Sequence, residues 1–473
     1  MNAAEKIFYE MQDCLIKQKN AFIKEGPPSL AQRKKSLKTL RQGILDNREE
    51  IEKALISDFG NRSRHETRLL EIMTLLKGID YLCSNLKNFM RPQKRHVPFH
   101  FHPARAYVSY QPLGVIGIVS PWNYPISLTI MPLATAIASG NRAMIKPSEL
   151  TPTTSNLILK ILSNLFPREE VAVFNGDAQI SEKFISLVFD HLFFTGSTRI
   201  GKIVMKVASE NLVPVTLELG GKSPVVVSSK TTMDYVAKEI VLGKLFNCGQ
   251  TCVAPDYIML HENQINSFVA AFDKYTKEFY PDGPISEDYT SIINKHHHNR
   301  LKKLVEDAAH KGATIVEVGN NPKKRSQHQN SMAPKLILNP KDEMDVMSEE
   351  IFGPLLPVMT YQNIDNAIEY VNSKPRPLAL YYFGDDTEER KKILSRTTSG
   401  NVCINTTMKH YALDDLPFGG VGASGIGSYH GIEGFQSMSH AKGILEFRKW
   451  NMSNLIQPPF GKLADFFLNS NIR

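Results

Sequence analysis

Residues 114–146, GVIGIVSPWNYPISLTIMPLATAIASGNRAMIK, carry the pattern on which the fold turns. The apolar run Gly114 to Ser120 is of strand length and breaks at the turn Pro121-Trp122-Asn123-Tyr124-Pro125. That predicts a buried strand, then a helix reaching Ser139 and stopped by Gly140-Asn141, then a second strand over Ala143 to Lys146. Working outward, the same alternation continues. A helix is predicted from Thr153, a strand over Val171 to Phe174, a helix around Ser181 to Leu187, and a strand over His191 to Thr195. A helix from Thr198 and a strand through Val215 to Leu219 follow. Repeated strand-helix-strand units imply an α/β fold, a parallel sheet with helices on both faces. The alternation restarts after Pro224-Val225-Val226-Val227, which predicts a second α/β unit. The first ~90 residues read as mainly helical and charged, and the polar stretch Asn320 to Ser331 reads as a surface loop.

At 473 residues and 42% hydrophobic content the chain has room for two or three domains, each with its own core. Lys+Arg 56 against Asp+Glu 48 leaves a scattered net charge of +8. The densest basic stretch, Arg33-Lys34-Lys35 with Lys38 and Arg41, recurs at helical spacing. No nucleic-acid motif accompanies it, so it is expected to form a solvated face, with no nucleic-acid partner. Five cysteines (Cys14, Cys83, Cys248, Cys252, Cys403) do not make a disulfide framework. The N-terminus reads as an amphipathic helix without a signal-peptide core. The most apolar stretch, Ile126 to Ala138, contains Pro132 and falls short of the ~20 residues needed to cross a bilayer. A cytoplasmic chain with no stable membrane insertion is expected.

Two glycine patterns need sorting. Gly420-Val421-Gly422-Ala423-Ser424-Gly425 matches G-x-G-x-x-G, but no strand precedes it and no helix follows, so it is rejected as a dinucleotide fingerprint. Gly196-Ser197-Thr198-Arg199-Ile200-Gly201-Lys202 is one residue short of a Walker A motif, because Ile203 replaces the metal-holding hydroxyl. Its strand, Gly-Ser, helix context suits either a dinucleotide pyrophosphate at a helix N-terminus or an ordinary strand-helix turn. Cys248 and Cys252 lack the two further ligands of a zinc site, and His296-His297-His298 reads as a polar helix start; no metal is expected. Cys252, in LFNCGQTCVAPD, sits where a thiolate and an oxyanion-holding backbone N–H can meet, although an inert buried thiol shows the same pattern. Glu218 interrupts the apolar run Val215 to Leu219. It is either paired or raised in pKa for acid-base work. Asn123 is either a side-chain donor or a turn former.

Taken together, seven segments resemble the aldehyde dehydrogenase superfamily, in that family's order. They are Pro121-Trp122-Asn123-Tyr124-Pro125, Ile145-Lys146-Pro147-Ser148-Glu149, Phe194-Thr195-Gly196-Ser197, Leu217 to Pro224, Leu245 to Cys252, Glu350-Ile351-Phe352-Gly353-Pro354 and Pro417-Phe418-Gly419-Gly420. The stretch 414–443 is similar to the class 3 branch and, within it, to coniferyl aldehyde dehydrogenases. The resemblance implies a Rossmann-like cofactor domain (1–91 and 113–222), an α/β catalytic domain (223–411), a small β bridging element (92–112 and 412–447) and a tail (448–473). It also implies a homodimer whose bridging strands pair with the partner's sheet. The tail ends LADFFLNSNIR, too short and polar to span a membrane.

The implied reaction is oxidation of an aldehyde to its acid with NAD, NADP being possible. Cys252 is the implied nucleophile, the Asn123 amide and the Cys252 N–H the oxyanion hole, and Glu218 the base that activates water on the thioester. Lys146 and Glu350 are implied as ribose ligands, Phe352 and Trp122 as cofactor neighbours, and Gly196 and Ser197 as pyrophosphate neighbours. Glu149 is implied at the adenosine 2′-OH, which favours NAD. The substrate expected is an aromatic or cinnamyl aldehyde, coniferyl-type, or a medium-to-long-chain aliphatic one. Two alternatives stay open, a relative that passes the acyl group to coenzyme A and a non-catalytic scaffold. A disulfide between Cys248 and Cys252 under oxidation is a further open alternative, since the spacing leaves the geometry of the pair undefined.

Overall fold

Three sheets organise the chain in the computed structural model, which describes residues 3–319, 328, 330–449, 453 and 456–472. Most of the stretch Asn320 to Ser331, read above as a loop, lies outside the described residues. The first sheet is the one read from residues 114–146. Its parallel strands run Val171–Val173, Arg142–Lys146, Val115–Val119, His191–Gly196, Val215–Leu219 across the sheet, and Gly425–Ile426 adds an antiparallel edge. Strand order therefore reverses beside Val115–Val119. In open α/β sheets the crevice outside the carboxyl ends at such a reversal is where ligands bind.

The period-2 alternation explains why helices cover both faces. Val115 and Val119 point into one core, with Met144, Leu192, Phe194 and Val204. Ile116 and Ile118 point into the other, with Ile130, Ile145 and Phe193. Helices Ala3–Glu25, Ala178–Ile185 and Thr198–Ser209 serve the first core, and Leu30–Asp46, Ser127–Ser139 and Pro152–Leu165 the second. Gly140 stops its helix as expected, in the left-handed conformation with φ 87°. The predicted strands and helices between 114 and 219 all appear, with no end moved by more than three residues.

The second sheet orders Thr314–Glu317, Lys335–Leu338, Leu355–Tyr361, Tyr257–His261, Pro224–Val227, Ala379–Phe383 and Asn401–Ile404, parallel except for its first strand. The third, Gln93–Arg95, Arg105–Pro112 and Ser439–Glu446, is antiparallel and mostly exposed. His296 to His298 open the helix Lys295–His310, as read from the sequence.

One expectation needs correction. Arg33 does not belong to a solvated basic face; it is 4% exposed. It shares a helix face with the buried Leu37, Leu40 and Ile44, so its guanidinium is carried inward. There Nε donates to Pro28 O at 2.9 Å and NH1 to Ala138 O at 3.0 Å, at the carbonyl end of the helix Ser127–Ser139, where a cation is favoured.

Candidate active site

Cys252 follows a tight chain reversal. The helix Met233–Leu245 gives way to the turn Phe246–Gly249, in which Asn247 (φ 50°), Cys248 (φ 52°) and Gly249 (φ 74°) are all left-handed. Gly249 is required there, since a Cβ would lie 2.3 Å from Gly353 O. The turn delivers Cys252 half-buried. Burial pushes its thiol up to about 12, and the negative charges of Glu350 and Glu218 add to this. The backbone N–H groups of Cys252 and Val253 act in the opposite sense, facing the sulfur as donors. Cys248 turns away, donating to Tyr289 Oη at 3.5 Å, and both cysteines are free thiols.

Asn123 lies in the turn beyond the strand Val115–Val119 and is buried. Its Nδ2 donates to Gln250 O at 3.1 Å, which ties it to the cysteine turn. An amide nitrogen carries two hydrogens, so one remains for a ligand. Its neighbour Tyr124 joins the same turn through Thr251 Oγ1 at 2.7 Å.

Glu218 sits on Val215–Leu219, 4% exposed, and among the described residues neither carboxyl oxygen has a hydrogen-bond partner. Burial alone raises it well above the ordinary carboxylate value. The rejected glycine pattern now has a physical reason. Gly425 pairs with Glu218 across the sheet edge, and a Cβ on Gly425 would lie 2.3 Å from Leu217 O. Those glycines let a loop lie flat against the strand that carries Glu218.

Glu350 rests on Gly220, where a Cβ would meet its Oε2 at 2.0 Å, and accepts the Gly221 N–H. Burial first and Asp256 second raise its carboxyl to about 8. Sequence reading missed the group that holds this segment. Lys222 pairs with Asp256 and donates to Val346 O (2.7 Å) and Glu349 O (2.9 Å), while Asp256 Oδ2 accepts the Ile351 N–H at 2.9 Å. A lysine directly after Gly220-Gly221 was the available signal.

The remaining predicted residues gather at the carboxyl ends of the first sheet. Lys146 ends its strand with the ammonium 1% exposed, donating to Pro147 O at 2.7 Å and lying 3.6 Å from Glu149 Oε2. Burial lowers its pKa, partly offset by Glu149. Gly196 ends its strand and Ser197 caps the helix Thr198–Ser209, taking the Ile200 N–H at 3.4 Å. Trp122 packs edge-on to Phe352 at 5.3 Å, and Phe352 is itself left-handed at φ 51°. An underused buried ammonium, a carboxylate beside it and a helix N-terminus whose first N–H groups lack helical partners fit a dinucleotide. Among the described residues no group of three or more His, Cys, Asp or Glu side chains could hold a metal.

A cavity of about 390 Å³ opens on the far side of the thiol. Its wall is almost wholly apolar and includes Leu70, Met73, Leu242, Phe246, Met408 and Cys252 itself. Leu69, Leu70 and Met73 come from a wide π-helical turn, Thr67–Met73. Such turns are frequent at functional sites. Sequence reading placed no residue of this wall except Cys252, because no periodic signal marks a cavity shared by distant elements.

The family model described as "Aldehyde dehydrogenase family" matches residues 16–444. The coniferyl aldehyde dehydrogenase of Pseudomonas sp. strain HR199 is 45% identical over 466 residues, covering 98% of this chain and 96% of that protein. The substrate-bound Staphylococcus aureus AldH structure superposes with a TM-score of 0.91 at 36% identity, covering 100% of both chains. A Mycobacterium tuberculosis aldehyde dehydrogenase complexed with NAD+ superposes with a TM-score of 0.84 at 25% identity, covering 95% of this chain and 92% of that one. With a thiol set between an apolar cavity and two buried carboxyls, on a fold shared along its whole length, the chain belongs to the aldehyde dehydrogenase family.

Proposed function

We propose that the protein oxidises an apolar aldehyde, of the aromatic cinnamyl (coniferyl) type or a medium-to-long-chain aliphatic one, to its carboxylic acid with NAD(P). The observation that carries this reading is the place of Cys252. It lines the apolar cavity and at the same time feels the charges of Glu218 and Glu350. The identity to a coniferyl aldehyde dehydrogenase supports the aromatic choice, and the almost wholly apolar wall supports both choices.

The chain's own residues then divide the work. The cavity orients the aldehyde with its carbonyl at Cys252. Cys252 gives up its thiol proton to solvent as Sγ attacks the carbonyl carbon, and the resulting oxyanion is held by the free Asn123 amide hydrogen and the Cys252 N–H. NAD(P), when bound, would supply the hydride acceptor for oxidation of the Cys252-bound carbon to the thioester level. Glu218, unpaired and raised in pKa, takes a proton from water as that water attacks the thioester, and the acid leaves with the thiol restored. A base suited to water favours hydrolysis over transfer to coenzyme A. With NAD(P) bound, Lys146 and Glu350 would hold ribose hydroxyls, Gly196 and Ser197 would flank the pyrophosphate, Trp122 and Phe352 would wall the nicotinamide end, and Glu149 would take the adenosine 2′-OH, which would favour NAD over NADP.

The test is NADH and NADPH formation across aliphatic, benzylic and cinnamyl aldehydes, with and without coenzyme A, beside Cys252→Ala. Expected are carboxylic acid products independent of coenzyme A and loss of turnover in Cys252→Ala with cofactor binding kept. Full turnover in that variant overturns the nucleophile. Turnover that requires coenzyme A overturns the hydrolytic role of Glu218, and cofactor binding without turnover favours the scaffold alternative.

The same reading extends to assembly and location. Among the described residues no helix is long and apolar enough to cross a membrane. Five free thiols suit a reducing, cytoplasmic setting. The exposed edge strand Ser439–Glu446, with Leu445 55% exposed, supports a homodimer that covers it.

A further inference from the structure

Behind the oxyanion turn lies a buried ion pair that the chemistry above does not use. We infer that Arg62, backed by Glu71, is a positioning residue that sets the direction of the Asn123 amide, an inference that rests on Asn123 being the oxyanion donor. Arg62 and Glu71 are both fully buried, 61 and 52 residues respectively from Asn123 in sequence. The Arg62 guanidinium lies 4.5 Å from the Phe59 ring and 5.1 Å from the Tyr124 ring. Its NH1 donates to Asn123 O at 2.7 Å and its NH2 to Glu71 Oε1 at 3.3 Å. Glu71 Oε2 accepts the N–H groups of Ile126 (3.1 Å) and Ser127 (2.8 Å). One ion pair thus pins both ends of the turn that presents Asn123.

The cysteine turn closes on the same point from the other side. Asn247 Nδ2 donates to Asn123 O and to Gln250 O, both at 3.1 Å, and Gln250 O is also the acceptor of the Asn123 amide. Asn247 holds a left-handed φ of 50° in that place, with its own N–H given to Glu66 Oε2 at 2.9 Å. The Asn123 carbonyl therefore has two donors and its amide one acceptor, all buried. With its backbone and one amide hydrogen fixed, the second hydrogen has one direction left. A buried ion pair is a weak source of net stability, because desolvation offsets its attraction. Its value here is geometric: small misplacements of groups around reacting atoms cost about 10²-fold in rate.

The experiment is a double-mutant cycle on kcat with Arg62→Met and Asn123→Ala, repeated with Arg62→Lys, which keeps the charge but cannot span both acceptors. In the wild-type background Arg62→Met is expected to lower kcat about 10–10²-fold, and Arg62→Lys by less, with the KM for aldehyde little changed. In the Asn123→Ala background both are expected to lower kcat less than about threefold, because the group that Arg62 positions is gone. An equal loss in both backgrounds overturns the inference while leaving Asn123 as oxyanion donor. Asn123→Ala within a few-fold of wild type overturns the oxyanion reading and the inference with it. If Arg62→Met does not fold, the Arg62→Lys cycle decides by the same criterion.

Discussion

Neither oxygen of Glu218 finds a hydrogen-bond partner among the described residues, and burial lifts its carboxyl well above the ordinary value. Such a group weakens the fold that holds it. Below the unfolded carboxylate pKa, both folded and unfolded chains carry the proton and no stability is lost. As pH rises past that value the unfolded chain releases the proton first, and stability falls until the folded pKa is reached. Glu218→Gln, which mimics the protonated form, is therefore expected to melt higher than wild type. Its advantage should widen between mildly acidic and neutral pH by at most about 1.4 kcal/mol per pH unit. The same variant should slow thioester hydrolysis and accumulate acyl-enzyme. Melting curves at several pH values and a rapid-quench assay check the two halves. A pH-independent melting difference would mean that burial does not raise the Glu218 carboxyl, and unchanged hydrolysis would assign the base elsewhere.

The turn Phe246–Gly249 shows how an element, rather than a residue, makes the site. Three successive left-handed residues reverse the chain, and Glu66, Thr290 and Gln250 hold it: Glu66 Oε2 takes the Asn247 N–H and the Thr290 hydroxyl, and Gln250 Nε2 reaches Asn247 O and Ser291 O. Gly249→Ala should cost about 1–3 kcal/mol in backbone strain, raised further by the clash with Gly353 O. Because the strain falls in the element that delivers Cys252, activity should fall more steeply than the urea midpoint alone accounts for. Midpoint and specific activity measured on the same preparation check this, and a stable variant of normal activity would mean the turn tolerates a side chain. The cysteine motif is visible in the sequence as a string of residue types. Its left-handed path is not, since the Asn247 N–H is held by the buried Glu66, itself held by Thr290, and Cys248 is held by Tyr289, all distant in sequence.

Across the whole molecule, the third sheet meets the larger core through Tyr110, whose ring lies 6.2 Å from that of Phe435, and leaves an edge strand open. Leu445→Asp should leave the fold intact, since Leu445 is 55% exposed, and should shift the mass from twice 53.2 kDa to one chain in light scattering. A dimer that persists would place the interface on another surface. The amino-acid sequence by itself determined the strand-helix alternation of residues 114–219, because a half-buried strand and an amphipathic helix write their periods locally. It also singled out Glu218, which interrupts an apolar run, and Cys252 and Asn123, through the motifs that carry the family resemblance. Only the tertiary structure decided that Arg33 is buried, that the Gly420 to Gly425 loop serves the Glu218 strand, and that an apolar cavity meets the thiol. It likewise decided that Arg62 and Asn247 converge on Asn123 O. A buried polar group must find its partners wherever the packed chain brings them, here 61 and 124 residues away, and no local pattern records that meeting.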